Sequence, residues 1–322
     1  MDEPTIADVL AARRRIEPHL PRTAFRRHPA LAEAVGTEVW VKHENHQPTA
    51  AFKVRGGLNL VAQLSAGERE HGLITASTGN HGQSIAYAAR LHGVPATICV
   101  PEGANPLKVA AIRALGAEIV VHGRDFDDAR EACEQLAART GQRYVHSGNE
   151  PHLIAGVATA TLEMLEDVPD IDVIIVPIGG GSGAAGACVA AKAVRPEIEV
   201  IGVQSAAAPA AHSSWQQHAL VTGEMGTFAE GLATRTAFEL PQRILWRLLD
   251  DFVLVSDDDL REATARMIAA TSNLVEPAGA AALAAALALR DRLAGRRVAL
   301  VASGGNISLA QLRALLDGVD AG

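Results

Sequence analysis

The 322-residue chain has three cysteines, Cys99, Cys133 and Cys188, and no two of them form a C-x-x-C pair. Neither a disulfide scaffold nor a zinc knuckle is expected from such spacing. A basic stripe is also missing, and the net charge of −8 argues against a nucleic-acid partner. No apolar run is long enough to span a bilayer, because the richest, Ala278 to Leu289, is short and dominated by alanine. Arg13, Arg14 and Arg15 lie on a helical pattern opened by Thr5 and Asp8, without the apolar core of a secretion signal. A cytoplasmic protein with no membrane partner is expected. The twelve histidines show no metal-ligand spacing, and no internal repeat or low-complexity linker interrupts the chain.

What the chain does have is regular alternation of strand-like and helix-like segments, as in Ala96 to Val100, Leu107 to Leu115 and Glu118 to Val121. Such alternation predicts parallel sheet with helices on both faces, and the length is enough for two domains. Cys188 is most simply a small core residue in one of these helices.

Four segments carry chemistry. In Glu44-Asn45-His46-Gln47-Pro48-Thr49-Ala50-Ala51-Phe52-Lys53-Val54-Arg55-Gly56, Lys53 follows an apolar pair. An amine in apolar surroundings loses its preference for the charged form, and a neutral amine condenses with aldehydes or removes a proton from carbon. The strand-like run Asp172 to Ile178 leads into Gly179-Gly180-Gly181-Ser182-Gly183 and then a helix-favouring stretch from Ala184 to Val194. A strand, a glycine loop and a helix start leave several N–H groups pointing at one spot, which suits a phosphate. Gly181, Gly183 and Gly186 also satisfy a dinucleotide fingerprint. The next strand, however, closes on Gln204 where that reading needs an acidic residue for the ribose, so a cup for one phosphate is favoured.

A third loop, Ser77-Thr78-Gly79-Asn80-His81-Gly82-Gln83, follows Leu73 to Ala76 and opens a helical pattern from Ile85 to Leu91. Its hydroxyls, amide and N–H groups suit a substrate carboxylate. The fourth, Ser303-Gly304-Gly305-Asn306, ends the run Val298 to Ala302 with a hydroxyl at the strand tip. In open α/β sheets ligands bind beyond the carboxyl ends of strands, so these tips are expected to converge.

In this order the motifs resemble the fold type II pyridoxal-phosphate enzymes, tryptophan synthase β-like in architecture, and among them the threonine/serine dehydratases. Serine racemase, hydroxyectoine-utilisation dehydratase and phenylserine dehydratase are relatives of that group. The resemblance implies two open, twisted, mostly parallel sheets, with a small domain over 51–149 inside a large one formed by 1–50 and 150–322. No C-terminal regulatory domain is expected. It further implies that Lys53 holds pyridoxal 5′-phosphate as a Schiff base, with Phe52 packed against the cofactor. Asn80 would bond the ring hydroxyl, Gly179, Gly180, Gly181, Ser182 and Gly183 the phosphate, and Ser303 would face the pyridine nitrogen. Ser77, Thr78, Gly79 and His81 would surround the substrate carboxylate. The implied reaction is β-elimination of water from an L-β-hydroxy amino acid such as threonine, serine or phenylserine, by a homodimer.

Departures from the family pattern qualify this. The common Gly-Ser-Phe-Lys segment is Ala50-Ala51-Phe52-Lys53 here, so one hydroxyl is missing. Thr78 stands where serine racemase has its second catalytic serine, so racemisation is the alternative rather than the first choice. A β-replacement synthase carries a different asparagine loop and is less favoured still. Metal-binding members place a Glu and an Asp after the strand following the phosphate loop. This chain has Gln204 and then Ser205 to Ala210 without a carboxylate, so no metal is expected. The segment Thr227 to Arg235 resembles an active-site loop, with Glu230 and Gly231 beside the cofactor and Arg235 shaping the pocket.

Overall fold

A computed structural model describes residues 2–77, 79–124 and 126–317, so the expectation for Thr78 lies outside the described residues. Among these residues ten strands form two sheets. In chain order they are β1 Phe25–Arg27, β2 Glu38–His43, β3 Leu73–Ala76, β4 Ala96–Val100, β5 Glu118–Val121, β6 Arg143–Tyr144, β7 Val173–Pro177, β8 Glu199–Ser205, β9 Asp251–Val255 and β10 Arg297–Ala302. The six-stranded sheet runs β1-β2-β10-β7-β8-β9, and the four-stranded sheet runs β5-β4-β3-β6. Among the described residues, only the edge strand pair β1 and β2 is antiparallel. The expected α/β architecture of two mostly parallel sheets is therefore the one observed.

The sequence of β7 and β10 explains their central position. Val173, Ile174 and Ile175, and Val298, Ala299 and Leu300, are all fully buried, as strands covered by helices on both faces must be. The helix Pro277–Ala288 covers one face. Its alanines bring it close to the sheet, and this apolar run proves to be core. Cys188 is buried in the helix Ser182–Val194 on the opposite face. At the N-terminus Thr5 and Asp8 form a reciprocal capping box on the helix Ile6–Ile16. Among the described residues no helix is long and apolar enough to cross a membrane.

The helix Lys53–Val61 is fixed from behind by two means. Gly56 and Gly156 let it lie backbone against backbone on the helix Pro151–Asp167, where a Cβ on Gly156 would sit 2.6 Å from the Arg55 carbonyl. A buried charge network then ties it to the sheet. Arg55 donates to both oxygens of Glu44 (2.7 and 2.8 Å) and both oxygens of Glu163 (2.7 and 2.8 Å). Lys42 on β2 reaches Glu163 at 2.6 Å, and Thr23 donates to Glu44 at 2.6 Å. Burial alone would raise the Glu44 pKa, but the Arg55 guanidinium overcomes it and holds the carboxyl below its ordinary range. Two positive and two negative charges thus neutralise one another in the dry interior, directly behind Lys53.

Candidate functional site

Four loops leave the carboxyl ends of β2, β3, β7 and β10 and line one cavity of about 860 Å³. The Lys53 ammonium donates to Ser182 Oγ at 2.9 Å and to the Ser147 carbonyl at 3.1 Å. Burial lowers its pKa to about 8, so an appreciable fraction is neutral near physiological pH. Phe52 packs against the same wall: a Cβ on Gly183 would lie 3.1 Å from its ring. The Phe52 N–H donates to the Ser303 carbonyl at 3.0 Å, which binds the lysine loop to the end of β10.

Gly181 caps the helix Ser182–Val194 in the left-handed conformation (φ 89°), which glycine adopts without strain. Among the described residues, no acceptor takes the N–H groups of Gly180, Gly181, Ser182 or Gly183. They are the free donors of a helix start, where an anion is stabilised. The cradle is closely walled. A Cβ on Gly179 would meet the Gly231 carbonyl, and one on Gly180 would overlap the Phe238 ring.

In the third loop, Ser77 Oγ accepts from the N–H groups of Gly79 (3.2 Å) and Gly82 (2.9 Å), bending the chain into the helix Asn80–His92. The His81 ring turns inward to Thr75 Oγ1, 3.0 Å away. Because Thr75 donates its own proton to the Val145 carbonyl, His81 Nε2 must be the donor between them. Burial and the nearby Lys53 lower the His81 pKa to about 3, so the ring is neutral. What His81 offers an anion is its backbone N–H. Asn80 Nδ2 donates to Glu276 at 2.7 Å, and Asn80 Oδ1 accepts from Asn306 at 2.7 Å. Ser303 is buried at the tip of β10 with its hydroxyl 3.4 Å from the Ala278 carbonyl.

Glu230, Gly231 and Arg235 line the cavity, and their loop hangs from Asp257, which accepts from Thr227 Oγ1 at 2.7 Å and the Phe228 N–H at 3.2 Å. Gln204 accepts from the His212 N–H at 3.0 Å and caps the start of the next helix. Among the described residues no group of three or more His, Cys, Asp or Glu could hold a metal ion.

Three further residues at the site escaped the sequence reading. Lys108 crosses the cavity to pair with Glu230. His146 accepts from the N–H groups of Gly148 (3.1 Å) and Asn149 (2.9 Å), and burial lowers its pKa to about 4. Glu276 is a buried carboxyl raised to about 6 by desolvation. The signals available were faint: Ser147-Gly148-Asn149 after a short strand, and Glu276 ahead of a helix-starting proline.

The donor set fits pyridoxal 5′-phosphate. A desolvated amine, a glycine cradle of free N–H groups at a helix start and a strand-end hydroxyl share one cavity large enough for a cofactor and an amino acid.

Comparison with known proteins agrees. The model of the pyridoxal-phosphate dependent enzyme family matches residues 16–304. The chain is 38% identical to the L-threonine ammonia-lyase of Thermotoga maritima, over 95% of its own length and 76% of the relative's. It is 35% identical to the L-threo-3-hydroxyaspartate ammonia-lyase of Saccharomyces cerevisiae, over 99% and 98% of the two chains. The solved structure of maize serine racemase superimposes with a TM-score of 0.93 at 30% identity, covering 98% of each chain. By sequence and by fold, the chain belongs to the fold type II pyridoxal-phosphate dependent enzymes, in the threonine/serine dehydratase group, and pyridoxal 5′-phosphate is its cofactor.

Proposed function

We propose that this protein is an ammonia-lyase that eliminates water from an L-β-hydroxy amino acid, giving a 2-oxo acid and ammonia. The observation that carries the reading is the seating of the Lys53 amine on Ser182, at the mouth of the glycine cradle, in a cavity whose β10 tip offers a hydroxyl. Bound pyridoxal phosphate supplies an electron sink conjugated to the substrate Cα. The Ser303 hydroxyl is neutral, and where it holds the ring nitrogen it would not force that nitrogen to be protonated. A moderate sink favours loss of a leaving group from Cβ as the Cα proton departs.

The chain's own groups divide the remaining work. Phe52 and the N–H groups of Gly179 to Gly183 would hold the cofactor, and Asn80 would take its ring hydroxyl. Ser77, Gly79 and the N–H groups at the start of the helix Asn80–His92 hold the substrate carboxylate. The free Lys53 amine accepts the Cα proton at Nζ, which its lowered pKa allows. The β-hydroxyl takes up one proton and leaves as water, offsetting the Cα proton gained by Nζ, and the released unsaturated amine takes up one water as it hydrolyses to the oxo acid and ammonium.

The likeness to maize serine racemase supports racemisation as the second reading. The layout of 51–149 as a small domain, the homodimer and the cytoplasmic location belong to the same proposal. The test combines an absorbance scan of the holoenzyme and of Lys53→Ala with assays over a panel of L-β-hydroxy amino acids. A lysine-dependent band with equal yields of ammonia and oxo acid is expected. D-isomer with little ammonia would replace the lyase by the racemase.

A further inference from the structure

His146 and Asn149 line the cavity beside the reacting amine, and neither has a part in the chemistry above. They bracket Ser147, whose carbonyl accepts from Lys53 Nζ at 3.1 Å. Backbone donors fix where their hydrogens lie. His146 Nδ1 accepts from the N–H groups of Gly148 (3.1 Å) and Asn149 (2.9 Å), so it carries no proton. A neutral imidazole bare at Nδ1 is protonated at Nε2, which makes Nε2 a donor. Turning the ring over would leave both backbone donors facing carbon. Asn149 Oδ1 accepts from the Leu240 N–H at 3.0 Å, at the start of the helix Glu239–Leu248, and this fixes the amide as well. Its nitrogen therefore lies 3.5 Å from His146 Nε2, donor beside donor. Two donors cannot bond each other, and among the described residues neither meets an acceptor. The Phe238 ring, edge-on to His146 with centroids 4.7 Å apart, holds the imidazole in place.

We propose that the His146 Nε2–H and Asn149 Nδ2–H groups together form the subsite for the β-oxygen of the substrate and hold that oxygen as it leaves. The inference rests on the lyase reading. On the assignments above, the phosphate falls to the glycine cradle, the ring hydroxyl to Asn80, the ring nitrogen to Ser303 and the α-carboxylate to the Ser77 loop. The β-oxygen is left without a partner. It is also within reach of the pair, because Cα must come to about 3–3.5 Å from Nζ for proton transfer and Cβ is one bond further on. In the elimination the Cα–H electron pair becomes the second Cα–Cβ bond, and the Cβ–O pair goes to oxygen. Charge builds on that oxygen, and donors aimed at it stabilise the transition state more than the ground state. The two groups lend hydrogen bonds and keep their protons, since a neutral imidazole or amide N–H is too weak an acid to part with one. Burial, Lys53 and Arg130 lower the His146 pKa to about 4, so the ring stays neutral. A β substituent that leaves as a weak base, such as chloride, draws little on the pair.

The test compares wild-type holoenzyme with His146→Asn. The asparagine oxygen can take the place of Nδ1 for the Gly148 and Asn149 N–H groups, as in an Asx turn, and nothing replaces the Nε2–H. Binding is read first, by absorbance titration with two amino acids that have no Cα proton and cannot turn over. Wild type should bind α-methyl-L-serine at least fivefold more tightly than 2-aminoisobutyrate, which lacks only the hydroxyl. His146→Asn should bring that ratio below two. Turnover is read second, on β-chloro-L-alanine and on L-threonine or L-serine, whichever wild type uses faster. Loss of one such donor costs about a hundredfold in kcat, so the chloride-to-hydroxyl ratio of kcat should rise at least tenfold in the variant. Ratios equal to those of wild type, or equal losses on both substrates, overturn the proposal. A higher cofactor dissociation constant with both ratios unmoved also overturns it and gives the donors to the cofactor phosphate. Should wild type release ammonia from β-chloro-L-alanine and from no hydroxy amino acid, the lyase reading falls, while the binding ratio still decides the subsite. Should His146→Asn not fold, Asn149→Ala removes the second donor, and the same two ratios decide.

Discussion

Replacing Arg55 by methionine removes the side chain that, among the described residues, bonds both buried carboxylates behind Lys53. Glu44 and Glu163 would remain, with Lys42 alone to balance two charges in the interior. Breaking a buried pair while leaving its partner costs about 3–5 kcal/mol. With an unfolding entropy of about 2.1 cal/mol/K per residue, a 322-residue chain loses about 6 °C of Tm for a 4 kcal/mol loss. The loss is pH-dependent, and its sign follows from Glu44. Burial works to raise the Glu44 pKa and Arg55 overrides it, so in wild type the carboxylate contributes stability at neutral pH and loses it only as pH falls through its depressed pKa. Without Arg55, burial prevails, and Glu44 takes up a proton at higher pH, which relieves the unbalanced charge. The Tm gap between wild type and Arg55→Met should therefore be widest at pH 8 and narrow toward pH 5. Paired thermal melts followed by circular dichroism at both pH values decide the matter. A gap under about 2 °C at pH 8, or one that does not change with pH, would refute the reasoning.

Other outcomes follow from single features of the site. In apoenzyme, the rate at which Lys53 captures pyridoxal phosphate should rise with a midpoint near pH 8, whereas a solvated lysine would titrate at about 10.4; stopped-flow absorbance over pH 6–10 distinguishes them. Ala50 sits in the left-handed region at φ 52°, which costs a non-glycine residue about 1–2 kcal/mol, so Ala50→Gly should raise stability by up to about 1 kcal/mol in urea titrations. Gly180→Ala drives a methyl into the Phe238 ring and should weaken cofactor binding at least tenfold by fluorescence titration, with little change in far-ultraviolet circular dichroism. Dialysis against a chelator should leave activity unchanged, since Gln204 is engaged in capping a helix where metal-binding relatives carry a carboxylate.

The loops were legible because each is local. Leu73 to Ala76 followed by Ser77 to Gln83, and Val298 to Ala302 followed by Ser303, announce a strand and its exit within a dozen residues, and the strands fall where the apolar runs predict. The missing hydroxyl at Ala50-Ala51 was visible too, but its backbone meaning was not. The bridge between Ala51 and Gly304 and the positive φ of Ala50 come from the packing of β10, some 250 positions away. Glu276, Lys108 and His146 lay beyond sequence reading for the same reason. Each has a partner distant in sequence: Asn80 for Glu276, Glu230 for Lys108 and, beside its local bonds to Gly148 and Asn149, the Phe238 ring for His146. The charge network was hidden differently. Lys42, Glu44, Arg55 and Glu163 look like ordinary surface charges in sequence, and only the close backbone packing at Gly56 and Gly156 sends them inward.

The position of β10 governs how the protein must be made. β10, the last of the described strands, lies between β2 and β7, so the larger sheet has a gap at its centre until residues 297–302 have left the ribosome. The strands of the four-stranded sheet all fall between positions 73 and 144, and that sheet can form while synthesis continues. Lys53 emerges early, yet its loop cannot close onto Ser303 until that residue has emerged. The nascent chain therefore carries the Lys53 amine unassembled while residues 54–302 are made, and the lysine loop and the β10 tip meet only once Ser303 has emerged.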